Sequence, residues 1–330
     1  MKRFSLMFLI VTMVVMLLTG CNSKQPNTTP SGNSTQVETS KKPYVAIISM
    51  GFQHQFWQAV KRGAEEAAKK YNVDITFEGP ESETMVDKQV EMLQAAMTKN
   101  PSAICIAAID SKAVMPVLEQ AKAANIPIIG FDAGVEGDIA LTTCATDNIA
   151  ASALAADKMA ELINGEGQVG LIIHSQTAID GAARRDGFVN RIKEKYPNIK
   201  IVDIQYGDGD QLKSTEIAKS MIQAYPNLKG IYGSNEGSAI GAINGVNEMD
   251  KKGKIITVGF DSGKLIKDAI RNGSMAGAIT QDPISIGYKS VEAAVKAING
   301  ESLPKKIDTG CYWYDKTNID SDKIKPLLYD

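Results

Sequence analysis

One pentapeptide occurs twice in this chain, with a single difference at its fourth residue. Gly130-Phe131-Asp132-Ala133-Gly134 recurs as Gly259-Phe260-Asp261-Ser262-Gly263. Each copy follows a short apolar run, at residues 126–129 and 254–258. A run of that length bounded by glycine reads as a buried parallel strand. The Asp then falls just past the strand's carboxyl end, where open α/β sheets hold ligands. Two such ends in one chain imply two similar lobes, each offering a carboxylate, with a ligand held in the cleft between them.

The rest of the pattern supports a repeat. Strands are predicted at residues 45–49, 73–77, 103–107 and 126–131, with helices at 56–70, 84–98 and 112–124 between them. The order then restarts, with a helix at 149–163, a first strand at 169–173, strands at 199–204, 229–233 and 255–260, and helices at 180–195, 211–224 and 236–249. Repeated strand–helix–strand units imply parallel sheets covered by helices on both faces. A repeat of this size means two like domains, not a short-period solenoid. The fold class is therefore α/β, with two doubly wound parallel-sheet lobes. A helix (264–271), a strand (275–280), a helix (284–299) and a strand-like segment (308–314) remain after the second repeat. They are expected to cross to the first lobe and return, with crossings near 146, 281 and 310 forming a three-crossing hinge. Lobe one would hold 43–146 plus 281–309, and lobe two 147–280 plus 310–330.

The chain begins with Lys2 and Arg3, an apolar stretch from Phe4 to Leu18, and then Leu18-Thr19-Gly20-Cys21. A basic start, a short apolar core and small residues before a cut describe an export signal over residues 1–20. The stretch is shorter than the roughly twenty residues a membrane span needs. Cys21 after Leu-x-Gly resembles the bacterial lipobox, which implies lipid attachment at Cys21 and an extracytoplasmic, membrane-anchored protein. Residues 21–42 are polar and hold little to bury, so they read as a tether reaching about 25 Å as a flexible coil.

Net charge is −2, with no basic run beyond short surface pairs, so nucleic acid is not a favoured partner. Cys105, Cys144 and Cys311 lack metal-ligand spacing, and a lone His174 after a strand makes no metal site. No cofactor is called for. Cys105 reads as a small buried hydrophobe. Cys144 and Cys311 are able to pair if both lie in strands between the lobes.

Several motifs, in order and spacing, resemble the ribose- and galactose-binding proteins of bacterial sugar ABC transporters. They are Phe56-Trp57 ahead of Gly63-Ala64, the first Gly-Phe-Asp, Ala145-Thr146-Asp147-Asn148, Arg184 before Gly187-Phe188, Asn235-Glu236, Val258-Gly259-Phe260-Asp261, and Gln281 before Pro283. The resemblance runs from about residue 43 to the end. It implies a type I periplasmic binding protein fold whose lobes close on one monosaccharide, pentose or hexose, and pass it to an ABC permease, the binding protein acting as a monomer and not as an enzyme. It assigns His54, Phe56, Trp57 and Asp132 of lobe one, Asp180, Arg184, Asn235 and Asp261 of lobe two, and Gln281 at a hinge to the ligand. The chemistry suits a sugar, because carboxylates accept from pairs of hydroxyls, Arg donates a rigid fork, and aromatic rings cover a C–H face.

The chain departs from the ribose pattern at two places. Ala133 stands where ribose binders set an Arg, and Gly209 stands where they set an aromatic. Asp180, four residues before Arg184 and on the same helix face, is similar to the hexose binders. A polyol or autoinducer-2 is an alternative ligand. A glycosidase using Asp132 and Asp261 as acid and base is a more distant alternative, disfavoured on the expectation that both Asp side chains meet many donors and stay ionised. A sugar-sensing repressor needs a DNA-binding helix pair where this chain carries its export signal.

The plainer structural readings are these. Asp132 and Asp261 would cap turns, one of Phe56 and Trp57 would be core, Arg184 would face in and Arg185 out, and His54 would be loop surface. Gly165-Glu166-Gly167-Gln168-Val169-Gly170 fits a dinucleotide pattern in the wrong strand–helix order and reads as a helix end plus turn. Gly237-x-x-x-Gly241 reads as close helix packing, and Asp208-Gly209-Asp210 lacks the rest of a calcium loop.

Overall fold

The structure, a computed structural model, describes residues 42–329. The export signal, Cys21 and the tether up to residue 41 lie outside the described residues. The first half runs β1 (Tyr44–Ile48), α1 (Gln55–Tyr71), β2 (Asp74–Glu78), α2 (Val86–Thr98), β3 (Ala103–Ile106), α3 (Met115–Ala123), β4 (Ile128–Phe131) and β5 (Thr142–Ala145). The second runs α4 (Asn148–Leu162), β6 (Gly167–Ile173), α5 (Ile179–Lys195), β7 (Ile199–Tyr206), α6 (Gln211–Ala224), β8 (Leu228–Gly233), α7 (Glu236–Glu248), β9 (Ile256–Phe260), α8 (Lys264–Arg271) and β10 (Gly277–Gln281). The chain ends with α9 (Pro283–Ile298), β11 (Lys306–Asp308), β12 (Cys311–Asp315) and a short 3-10 turn.

Two six-stranded sheets result, ordered β11-β5-β4-β3-β1-β2 and β12-β10-β9-β8-β6-β7. Residue alternation along the strands explains why both faces of each sheet are covered. In the first sheet, Val45, Ile47, Cys105, Ile129 and Phe131 pack with α1 and α9. Their neighbours Ala46, Ile48, Ile104, Ile106 and Ile128 pack with α2 and α3 on the other face. In the second sheet, Val169, Leu171, Ile173, Val258 and Phe260 pack with α4 and α5, while Ile172 and Ile231 pack with α6 and α7.

The chain passes between the sheets after β5, after β10 and between β11 and β12. Two features here differ from the sequence expectation. Thr142–Ala145 is a strand that the alternation does not single out, being only four residues with Thr142 and Thr143 in it. The strand-like segment at 308–314 is two strands in different sheets. Gly310 lies between them at φ 82°, a left-handed conformation that costs glycine least. The chain leaves the first sheet at its carboxyl edge, beside Ala145, and enters the second at its carboxyl edge, beside Gln281, so β12 pairs antiparallel with β10. The second sheet is therefore mixed, where a wholly parallel one was expected.

Polar caps fix the helix starts at the strand ends. Asp147, Asp210, Asn235 and Asp282 each accept from a backbone N–H three residues on, at 2.7–3.0 Å. The Gly237-x-x-x-Gly241 pair is close packing. A Cβ on Gly237 would stand 1.9 Å from the Gly209 carbonyl, and one on Gly241 2.3 Å from Ser214 Cβ. The segment at 165–170 is the end of the turn into β6 and the first residues of that strand, with Asn164 and Gly165 both at positive φ. Cys144 and Cys311 lie in β5 and β12, but in different sheets, and with Cys105 they are free thiols.

Candidate functional site

The repeated Asp occupies an equivalent place in each sheet. Asp132 follows β4 at φ 53° and Asp261 follows β9 at φ 77°. Such backbone is rare for a residue with a Cβ, is tolerated best by Asp and Asn, and clusters at functional sites. The Asp132 N–H donates to Cys144 O on β5 at 3.0 Å, and the Asp261 N–H donates to Ile279 O on β10 at 2.7 Å. Each Asp is thus tied to the next strand of its own sheet, and its side chain is directed past the sheet's carboxyl edge.

The two edges face one cavity. Its volume is about 20 Å³, room for about one water molecule. All nine side chains singled out from the sequence line it. His54, Phe56 and Trp57 come from the start of α1, Asp132 from β4, Asp180 and Arg184 from α5, Asn235 from the start of α7, Asp261 from β9 and Gln281 from β10. Met50, Glu83 and His174 complete the lining. Phe56 and Trp57 are both buried, with ring centroids 5.0 Å apart and an interplanar angle of 81°. Both belong to the core as well as to the cavity. His54 is buried, not loop surface, and Arg184 is buried while Arg185 is half-exposed.

The polar atoms are oriented by specific partners. Arg184 stacks on the Phe260 ring at 3.9 Å. Its Nε donates to Asn148 Oδ1 at 2.7 Å and its Nη1 to Ser234 O at 2.9 Å, while Nη2 lies 3.6 Å from Asp180 Oδ2. His174 Nε2 hydrogen-bonds the same Asp180 oxygen at 2.9 Å. Asp261 is held at both oxygens, Oδ2 accepting from the Glu236 N–H at 2.9 Å and Oδ1 from Gln281 Nε2 at 2.8 Å. Asn235 spends Oδ1 on capping α7, and its Nδ2, which has two N–H groups, donates one to Glu83 Oε2 at 3.4 Å. Gln281 spends its Nε2 on Asp261, and its Oε1 is buried without a partner.

Asp132 corrects one expectation. No protein donor reaches its Oδ1, which is buried and unpartnered. Burial, with the charges of Asp180, Asp261 and Glu83 added, pushes its carboxyl well above the usual carboxylate range. The two Asp side chains are therefore not equally rich in donors. Asp180 is the opposite case. Burial opposes its ionisation, but His174 and Arg184 override burial and hold its carboxyl below the ordinary value.

Two carboxylates at the rim escape a reading of the sequence as site residues. Glu83, in the β2–α2 loop, accepts from Trp57 Nε1 at 2.9 Å and from Asn235 Nδ2 at 3.4 Å. Glu236, the first residue of α7, accepts from the Gln55 N–H at 3.3 Å. His54 lies between them, 3.7 Å from Glu83 and 4.0 Å from Glu236. Loop glutamates are usually solvated, so nothing in the Glu83 neighbourhood marks it. The one available signal is Trp57, whose indole N–H needs a partner once buried.

Burial pushes both Glu83 and Glu236 up to about 7. The sign of the pH effect follows by linkage. A carboxyl raised from 4.5 to about 7 contributes stability that is full below pH 4.5 and is lost as the pH rises through 7. Asp132 acts in the same direction. His54, lowered by burial from 6.5, acts in the other, losing its contribution as the pH falls. The carboxyls outnumber it. The melting temperature of the ligand-free protein is expected to fall by roughly 5 °C between pH 5 and pH 7.5. Scanning calorimetry checks this, and the Glu83→Gln, Glu236→Gln double variant should flatten the profile.

The chain matches the family model described as a periplasmic binding protein domain over residues 45–302. It belongs to that family. Among curated proteins it is 25% identical over 299 residues to the ribose import binding protein RbsB of Bacillus subtilis, covering 90% of this chain and 94% of the relative. A solute binding protein of an ABC transporter from Agrobacterium vitis, solved with α-D-tagatopyranose, superposes with a TM-score of 0.84 at 29% identity, covering 88% of this chain and 100% of that one. Another from the same organism, solved with D-fucose, gives 0.83 at 31% identity over 87% and 100%. Periplasmic binding proteins of this type share the two-sheet fold described above.

Proposed function

We propose that this periplasmic binding protein captures one monosaccharide between its lobes and delivers it to an ABC permease, without chemical turnover. The observation that carries the reading is the set of buried acceptors left without partners at one cavity, Asp132 Oδ1, Asp180 Oδ1 and Gln281 Oε1. An unpaired buried oxygen costs about 1–3 kcal/mol, and the hydroxyls of a sugar would satisfy all three. Phe56 and Trp57 supply the apolar wall for a ring face, and Arg184 and Asn235 supply donors. The sugars solved with two similar proteins, a tagatose and a fucose, are monosaccharides and support this reading.

In this account, lobe one is 43–146 plus 281–309 and lobe two is 147–280 plus 310–330. They close by hinge motion at the three crossings. Bonds already span the rim, from the Gln55 N–H to Glu236, from the Lys264 N–H to Gln55 Oε1 at 2.7 Å, and from Thr177 Oγ1 to Ile109 O at 3.2 Å. Cys21 carries the lipid, the tether lets the folded part stand off the membrane, and the protein works as a monomer.

Titration calorimetry with a panel of pentoses, hexoses and polyols tests the function. One sugar per chain is expected to bind, with a rise in melting temperature. No heat and no thermal shift with any of them would sink the sugar reading.

A further inference from the structure

Position 209 is glycine, at φ 67°. A Cβ there would stand 2.6 Å from Glu83 Oε2 and 3.3 Å from Asn235 Nδ2. The Glu83 carboxylate therefore occupies the space that any side chain at 209 would enter. It arrives from the opposite lobe, its side chain is only 7% exposed, and it lines the same cavity as Asp132, Asp180 and Asp261. Trp57 and Asn235 use part of its capacity. An ionised carboxylate has about four acceptor sites, so Glu83 still has room to accept from a ligand.

The balance of charge at the cavity is one-sided. Four carboxyl side chains line it, of which burial holds Asp132 toward the neutral form, against Arg184 as the single lining Lys or Arg. Arg184 already serves Asp180, Asn148 and Ser234. A ligand that brings hydroxyl or ammonium donors meets open acceptors. A ligand that brings a further carboxylate meets like charge in a buried site, which costs several kcal/mol.

We propose that Glu83 is the specificity-determining residue of this cleft. It places an acceptor in the space beside Gly209, so the protein selects neutral or amine-bearing sugars with a donor directed at Glu83 and rejects sugar acids. The proposal rests on the sugar-binding function above and assigns the class of sugar.

The test is calorimetry of wild type, Glu83→Ala and Glu83→Gln with D-ribose, D-allose, D-galactose, D-galactosamine and D-galacturonate, followed by monodeoxy analogues of the tightest sugar. Wild type is expected to bind a neutral or amino sugar and to give no heat with galacturonate. Glu83→Ala should weaken the tightest sugar by about tenfold or more. For one monodeoxy analogue, the gap to the parent sugar should shrink to within about threefold in Glu83→Ala, the signature of a lost pairwise contact. Glu83→Gln keeps an acceptor for Trp57, so it separates loss of selection from collapse of the loop. It should shift the preference between galactosamine and galactose toward galactose with no fall in melting temperature.

Three results would overturn the proposal. One is galacturonate binding to wild type as tightly as galactose. Another is Glu83→Ala weakening every sugar and analogue by one common factor, as a purely structural latch would. The third is Glu83→Ala changing nothing while Asp261→Ala abolishes binding, which leaves the sugar-binding function standing and removes Glu83 from it. No heat from any sugar with wild type would remove both.

Discussion

Arg184→Ala is expected to be the most damaging single substitution in the second lobe. Its guanidinium is buried, stacked on Phe260 and bonded to Asn148 and the Ser234 carbonyl. Truncation strands Asp180 as a buried carboxylate whose remaining partner is His174, and leaves Asn148 Oδ1 and Ser234 O without this donor. Breaking a buried pair from one side costs about 3–5 kcal/mol. At roughly 2–4 °C per kcal/mol for a protein of this size, the melting temperature should fall by about 10 °C. A double variant, Arg184→Met with Asp180→Asn, should recover part of that loss, because it refills the volume and removes the stranded charge. Sugar binding should stay lost in both. Thermal melts with and without sugar separate the two effects.

Asp261→Ala is expected to have the largest effect on binding. The carboxylate is held at both oxygens by Glu236 N–H and Gln281 Nε2, so it is already oriented before any ligand arrives. Charge-assisted bonds contribute about 1.5–3 kcal/mol each, and loss of two to the sugar would weaken binding about 100-fold or more. Asp261→Asn should be nearly as poor. One amide has a single acceptor oxygen, and its NH2 would face either Glu236 N–H or Gln281 Nε2, donor against donor. Asp132→Asn should be milder. No protein donor is given to Oδ1 of Asp132, and its burial already disfavours the ionised form. A titration series over the three variants reads this asymmetry directly. Equal losses for Asp132→Asn and Asp261→Asn would mean that the two carboxylates play the same part.

The sequence carried most of this fold because the signal is local and repeated. Val45, Ile47 and their alternating neighbours declare buried strands, and the duplicated Gly-Phe-Asp places both carboxylates at sheet ends. Site residues that lie at those ends or at helix starts, such as Asp132, Asn235 and Asp261, could be read in the same way. What escaped depends on the return of a distant segment. The chain crosses between the sheets at Gly310, so one strand-like run becomes an edge strand in each sheet. Glu83 escaped for a related reason. Its burial comes from Trp57 and from Asn235 of the other lobe, and neither partner is near it in the chain. The protonation bias of Asp132 likewise comes first from its burial and then from Asp180, Asp261 and Glu83, contributed by separate elements.

The central claim is that one sugar sits between the two Gly-Phe-Asp ends and is held from both lobes. A crystal structure with the tightest-binding sugar tests it most directly. The account predicts the ring in the cavity lined by Trp57 and Arg184, with hydroxyls within hydrogen-bond distance of both Asp132 and Asp261. A sugar bound elsewhere, or one that touches the carboxylate of a single lobe, would contradict it.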